Sequence, residues 1–253
     1  MMKRGVLLAA VAILIMGAVP AQALNLGIAG SWWSPGLSGQ YGLDANGIPG
    51  TMLDMEDDLG MGDESLPSVE GFLSHGPHRL SLGYTLGEWE GRRVLARPLV
   101  FNGVRFFPGI TADSELSLSM TDLTYTYRFL GFDYILAGLA LEAGVRLKYV
   151  DGEESLASAG VTARKDFQAA IPELAVSARL GILKDLLWAR VQAQGIAYGG
   201  NSLFEGTAEL SLSPLPVLGL NVGYRFLSLD AEYDGFHLDM GLSGFYALAA
   251  VSF

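Results

Sequence analysis

Hydrolysis of an ester or a phosphoester needs a nucleophile, a base and an acid within hydrogen-bond reach of one another. The chain offers three histidines as the base. His75 and His78 flank the short segment Gly76-Pro77. His237 has Asp239 two residues on and Ser243 six residues on. Six residues of extended chain span about 20 Å, so Ser243 is out of reach of His237 along one strand. Ser202 or Ser228 would have to come from other strands. The expectation is therefore no catalytic site. The alternative is a lipid A- or phospholipid-modifying enzyme worked by His237.

Carboxylates are the second chemical resource. Asp54, Glu56, Asp57 and Asp58 are followed by Asp63 and Glu64. Clustered carboxylates are ligands for Ca²⁺ or Mg²⁺, but this spacing is not that of an EF-hand loop. The reading is a solvated, mutually repelling loop, with no metal and no cofactor expected. The sharper alternative is a cation shared with lipopolysaccharide phosphates.

A third set is defined by alternation. From Leu139 to Tyr149, Leu139, Leu141, Ala143, Val145, Leu147 and Tyr149 share one face of an extended strand, and Glu142, Arg146 and Lys148 lie on the other. Period two is the signature of a strand with two unlike faces. It recurs at 79–86, 173–180, 187–194, 204–212 and 220–226. The polar faces collect Arg79, Arg128, Glu142, Arg146, Lys148, Glu173, Arg179, Arg190, Glu205, Glu209 and Arg225. Both signs occur, which predicts a paired network inside a narrow lumen, since unpaired buried charge is costly. The other reading is a polar path for small solutes.

The elements that would hold such a network are those of a transmembrane antiparallel up-and-down β-barrel, with apolar faces toward lipid and polar faces toward the lumen. Residues 1–23 read as a cleaved signal peptide: basic Lys3 and Arg4, an apolar run Val6–Val19, and a small-x-small site at Ala21-Gln22-Ala23. Residues 24–253 would form the barrel. With the signal gone, 14 basic residues face 27 acids, a net of about −13. That excludes a nucleic-acid partner, which needs a basic footprint. There is no Cys, hence no disulfide framework. No stretch of the mature chain is apolar for long enough to form a membrane-spanning helix.

Ten strands are predicted at about 24–34, 67–75, 78–90, 113–129, 134–151, 165–181, 186–198, 202–213, 217–233 and 236–253, with eight or twelve as alternatives. Residues 50–59 could add a strand. Tight turns are expected at Gly76-Pro77, Gly131-Phe132-Asp133, Leu183-Lys184-Asp185 and Pro214-Leu215-Pro216. Longer loops are expected at 35–66, 91–112 and 152–164, with a hairpin turned by Asn102-Gly103 in the second. Leu116, Leu118 and Met120 lie on one parity and Leu123, Tyr125 and Tyr127 on the other, which predicts a β-bulge near Thr121-Asp122. Pro172 should mark a bulge or the barrel mouth. Trp32, Trp33, Trp89, Tyr149 and Tyr198 are candidates for an outer aromatic girdle, and Phe129, Phe132, Tyr134 and Phe253 for an inner one.

The last strand ends in Phe253, with Val251, Ala249, Ala247 and Phe245 on its face. That is the expected signal for the barrel-assembly machinery, with Phe253 and Val251 at its heart. The segment Gly50-Thr51-Met52-Leu53-Asp54-Met55-Glu56-Asp57-Asp58-Leu59-Gly60, the strand His78-Arg79-Leu80-Ser81-Leu82-Gly83-Tyr84, the turn Phe101-Asn102-Gly103, the signal and the terminal Phe together resemble an uncharacterised family of Gram-negative outer-membrane β-barrel proteins of about this length. The resemblance implies a fold and the outer membrane. It carries no activity and no functional residue. The expectation is a non-enzymatic monomer in contact with outer-membrane lipids and lipopolysaccharide, structural or giving narrow passage to small solutes or hydrophobic molecules. A soluble exported β-sandwich or lipocalin-like binding protein is the remaining alternative.

Overall fold

The computed structural model describes residues 24–45, 49–132, 138–183, 186–233 and 235–253. The expected signal segment, Tyr134 and parts of two expected turns lie outside them. The strands are β1 (Leu24–Leu43), β2 (Leu53–Asp54), β3 (Leu66–His75), β4 (His78–Val94), β5 (Leu99–Phe101), β6 (Val104–Phe106), β7 (Thr111–Phe132), β8 (Leu139–Ser158), β9 (Val161–Leu183), β10 (Leu187–Tyr198), β11 (Asn201–Leu215), β12 (Leu218–Tyr233) and β13 (Phe236–Ser252).

Ten of these form a ring of antiparallel neighbours in the order β1, β3, β4, β7, β8, β9, β10, β11, β12, β13, and β13 closes on β1. The closing register runs from Gly27↔Ser252 to Leu43↔Phe236. The start of β1 and the end of β13 therefore sit at one rim, the periplasmic rim by the habit of such barrels. Outward residues such as Leu82, Tyr84, Tyr125, Leu147, Val176, Val222 and Phe245 are exposed apolar groups around the ring. A continuous apolar belt on a closed ring is a lipid-facing surface.

A membrane crossing takes roughly 9–11 residues of tilted strand, and β7 has 22. Several strands therefore continue well above the belt. The predicted loop 152–164 is largely strand: β8 and β9 stay paired from Leu139↔Leu180 to Ser158↔Val161. They turn at Ala159-Gly160, both with positive φ. Its outward polar residues Glu153, Ser155, Thr162 and Arg164 stand in water above the lipid, and Glu154, Leu156 and Ala163 point to a buried interior.

The expected bulge at Thr121-Asp122 is absent. Register runs unbroken through Met120↔Thr85, Thr121↔Tyr84 and Asp122↔Gly83 on one side, and through Met120↔Val150 and Asp122↔Lys148 on the other. Even-numbered residues of β7 point inward from Ala112 to Arg128. What changes is the interior they meet, polar below Asp122 and apolar above Met120. A register shift on this strand lies lower, between Arg128 and Leu130. Pro172 makes no bulge against β8, where Leu147↔Pro172 is in step. On its other side it marks the end of a ladder, because β9–β10 pairing stops at Leu174↔Gly195.

The first long loop folds into the outer mouth. Its backbone is tied to β1 by Met55 N–H donating to the Gly39 carbonyl at 3.0 Å. It is tied to β7 by the Ser114 hydroxyl donating to the Leu59 carbonyl at 3.1 Å. Met55, Leu59 and Met61 are buried. The β5–β6 hairpin, turned at Asn102-Gly103 as predicted, lies over it, with the Phe101 ring edge-on to Tyr41 at 5.8 Å.

The acidic run is accordingly not a free repulsive loop. Asp54 Oδ1 accepts from the N–H groups of Glu56 and Asp57 at 3.0 and 2.7 Å. Arg97 pairs with Asp58 at 2.6 Å, and Arg93 lies 3.9 Å from Asp57. Burial pushes the Asp58 carboxyl up, but the hydrogen bonds and charge of Arg97, with help from Arg93, bring it below its ordinary value. A depressed folded pKa adds stability at neutral pH that is lost as pH falls below the ordinary carboxylate range. Hydrogen exchange over residues 50–61 is thus expected to speed up as pH drops below about 4, after correction for intrinsic rates. An Asp58→Asn variant should show the faster exchange already at pH 7. Equal protection in variant and parent would remove the ion pair as the loop's anchor.

Candidate functional site: a lumen in two chemical layers

Each strand contributes one parity to the interior, so the lumen can be read by height. The lower half is a polar vestibule of about 530 Å³. It reaches the periplasmic rim at Gly76, Pro77 and Ser252 and is walled by Ser31, Glu70, Arg79, Arg190 and Asn221. Arg79 pairs with Glu70 at 3.1 Å and lies over the Phe72 ring at 3.9 Å. Arg190 meets Glu142 at 3.0 Å. Arg179 stacks on Trp188 at 4.4 Å. Glu209 accepts from the Tyr246 hydroxyl and from Asn221. Arg128 donates to the Gly76 carbonyl at the rim, 3.3 Å.

The vestibule ends at a buried charged layer centred on Glu205. Arg146, Lys148 and Arg225 approach its carboxylate at 3.1, 2.7 and 3.0 Å. Gln194 donates to it at 3.1 Å. Lys148, 1% exposed, is shared with Asp122 at 2.7 Å. Arg225 also lies 4.4 Å above the Trp33 ring. Glu173 is buried in the same layer without a hydrogen-bond partner among the described residues.

Above this layer the interior turns apolar. Trp33, Leu37, Trp89, Leu116, Leu118, Leu227 and Leu242 form one cluster with Met55, Leu59 and Met61 of the inserted loop. Trp33 and Trp89 are therefore core residues and not girdle residues. Successive strand side chains point to opposite faces, so only one of the Trp32-Trp33 pair can meet lipid, and Trp32 is the exposed one. The bulk of Trp89 is seated over Gly87, where a Cβ would come within 2.7 Å of its ring.

Glu70, Asp122 and Tyr246 belong to the lumen although the alternation analysis did not single them out. Asp122 was readable from its parity with Thr124, Thr126 and Arg128. The candidate catalytic group is differently placed. His237 lies on the outward face of β13 with Glu232 at 3.7 Å. Ser228 is opposite Gly241, four residues below His237 on the strand pair, and Ser202 is opposite Asp230.

No family model and no curated protein matches the chain. Among solved structures it is similar to the outer membrane protease OmpT from Escherichia coli. Identity is 11%, 92% of this chain and 97% of that chain are covered, and the TM-score is 0.50. The fold is that of the Gram-negative outer-membrane β-barrels. It is also similar to the translocator domain of autotransporter NalP from Neisseria meningitidis, at 11% identity, 98% and 94% coverage and TM-score 0.46. Ail, the attachment invasion locus protein of Yersinia pestis, aligns at 9% identity, 92% and 100% coverage and TM-score 0.40. The likeness to OmpT, at 11% identity, is one of fold and assigns no role.

Removing one partner of a buried ion network leaves the others uncompensated, at a cost of roughly 3–5 kcal/mol. Glu205→Leu is expected to lose about that much in urea unfolding from lipid vesicles. Glu153→Leu, which breaks the exposed Glu153–Arg164 pair, should change stability by no more than about 1 kcal/mol. Similar losses in the two variants would mean that the Glu205 layer is not a buried network.

Proposed function

We propose that this outer-membrane barrel is non-enzymatic and closed along its axis to ions and small polar solutes, its role being structural or the handling of hydrophobic molecules. One observation carries the reading: an apolar layer sits directly on the buried charged layer. A hydrated solute rising through the vestibule would meet paired charges and then a region almost wholly apolar, where desolvation is not repaid. The inserted loop and the β5–β6 hairpin add a further apolar cover over the mouth.

The non-enzymatic part is supported by the placement of His237, which faces outward beside a carboxylate with neither Ser202 nor Ser228 across from it. The paired lumen charges serve closure in this reading. The chain works as a monomer among outer-membrane lipids and lipopolysaccharide. Phe253 and Val251 serve the barrel-assembly machinery on the edge that finally pairs with β1.

Reconstituted protein is expected to be electrically silent in planar bilayers at moderate voltage and salt, and regular unitary steps would overturn axial closure. Mass spectrometry of lipid A and phospholipids from a His237→Ala strain should match the parent. A missing modification would restore the enzyme reading.

A further inference from the structure

The wall of the barrel is not equally high all round. β8 and β9 run on to their turn at Ala159-Gly160, whereas β10 and β11 turn back at Gly199-Gly200. From residue 173 up to Val161, β9 has β8 on one side and, among the described residues, no strand on the other. Across this gap stands the top of β12, which loses β11 above Ser202↔Asp230. The result is a notch between β9 and the β12–β13 hairpin.

The notch begins just above the lipid belt. Outward residues below it are Leu174, Val176, Phe204 and Phe226, all exposed and apolar. Beside it they are Asp166, Gln168, Ser228 and Asp230. Its floor thus lies at headgroup level of the outer leaflet. Two inward rings close it from behind, Phe167 of β9 and Phe236 of β13, stacked at 5.8 Å.

Behind the rings is a small chamber of about 40 Å³, lined almost wholly by apolar groups. That is room for roughly three water-sized spheres, so an occupant must be slender and must displace side chains of the lining to fit. Met55, Met120 and Met240 are in the lining. Thioether side chains are unbranched and shift readily, so the chamber can lengthen around an alkyl chain.

Two polar atoms interrupt the apolar lining. Tyr41 and Glu154 both line the chamber and are 2% and 4% exposed. The Tyr41 hydroxyl and Glu154 Oε1 are buried without a hydrogen-bond partner among the described residues. Lys148, also in the lining, is already held by Asp122 and Glu205. Lys165 is the cross-strand neighbour of Glu154 but forms no ion pair with it among the described residues. Orphaned polar groups of this kind are costly, and the Glu154 carboxyl oxygen can accept from a donor.

We propose that the chamber binds a single slender alkyl chain ending in a hydrogen-bond donor, a primary alcohol or amine, which enters sideways from the outer-leaflet interface through the notch behind Phe167 and Phe236. The chain lies among Met55, Met120, Met240 and Leu229. The head group donates to Glu154, and an alcohol can also accept from Tyr41. This rests on the reading that the barrel handles hydrophobic molecules and is closed along its axis.

The test uses full-length protein in nanodiscs, with octan-1-ol, octylamine and octanoate as probes and native mass spectrometry as readout. Octanol and octylamine should bind one per barrel, and octanoate about tenfold more weakly or not at all. Glu154→Leu should weaken octylamine about tenfold, the scale of one charge-assisted hydrogen bond. Tyr41→Phe should weaken octanol but spare octylamine. Heat-modifiable gel mobility checks that each variant is folded. The chain has no Cys, so Phe167→Cys with Phe236→Cys can be bridged by a reducible bis-thiosulfonate. Bridging should block uptake, and reduction should restore it. Normal uptake by the bridged protein overturns the sideways route while leaving the chamber. Octylamine binding unchanged in Glu154→Leu overturns the head-group assignment. No binding of any probe overturns both, and with them the hydrophobic-molecule reading, while axial closure still stands or falls by conductance.

Discussion

A backbone N–H or C=O facing hydrocarbon without a partner costs several kcal/mol. Within the lipid belt every strand of this chain therefore needs a neighbour on both sides, and the β13–β1 seam is what meets that demand for the ring. Once the ring is closed, the parity of each position is settled from rim to rim. Height then decides what a side chain meets: vestibule, charged layer or apolar layer inside, and lipid or water outside. The constraint relaxes where water returns. The longest stretch of barrel strand left without a second neighbour among the described residues, 161–173 of β9, lies above the belt, where solvent can satisfy its backbone.

The charged layer and the apolar layer support each other. Glu205 is tolerable at full burial because three cations and an amide converge on it. Those cations are tolerable because Glu205, Asp122 and the Trp33 ring receive them. The apolar plug above keeps water from the network from the outer side, which strengthens each pair. The inserted loop in turn needs the plug as a surface to bury Met55, Leu59 and Met61, while its acids are held outside by Arg93 and Arg97.

Strand alternation made the ten-strand ring and the inward charges legible in the sequence, because Glu142, Arg146 and Lys148 alternate with apolar residues where the outer face is lipid and the lumen is polar. The same rule misled wherever the lumen is apolar. Leu116, Leu118 and Met120 look like lipid-facing residues whose phase has slipped, and only the unbroken register shows that they point inward into a plug. Trp33 and Trp89 misled for the same reason. The polar stretch 152–164 looked like a loop because strands above a membrane have two wet or half-wet faces and lose the contrast that marks them. Convergence of Arg146, Lys148 and Arg225 from β8 and β12 on Glu205 of β11 depends on curvature across the ring, which no single strand encodes.

Pro172 has a meaning beyond ending the β9–β10 ladder. An unpaired strand edge is a template for a strand from another molecule, and the free edge of β9 begins here. Proline has no N–H to give to an incoming strand. Arg164 and Asp166, facing outward further along the same edge, set charges of both signs in the path of a second copy. The edge can thus stay open to a small molecule while resisting edge-to-edge association of barrels crowded in one membrane.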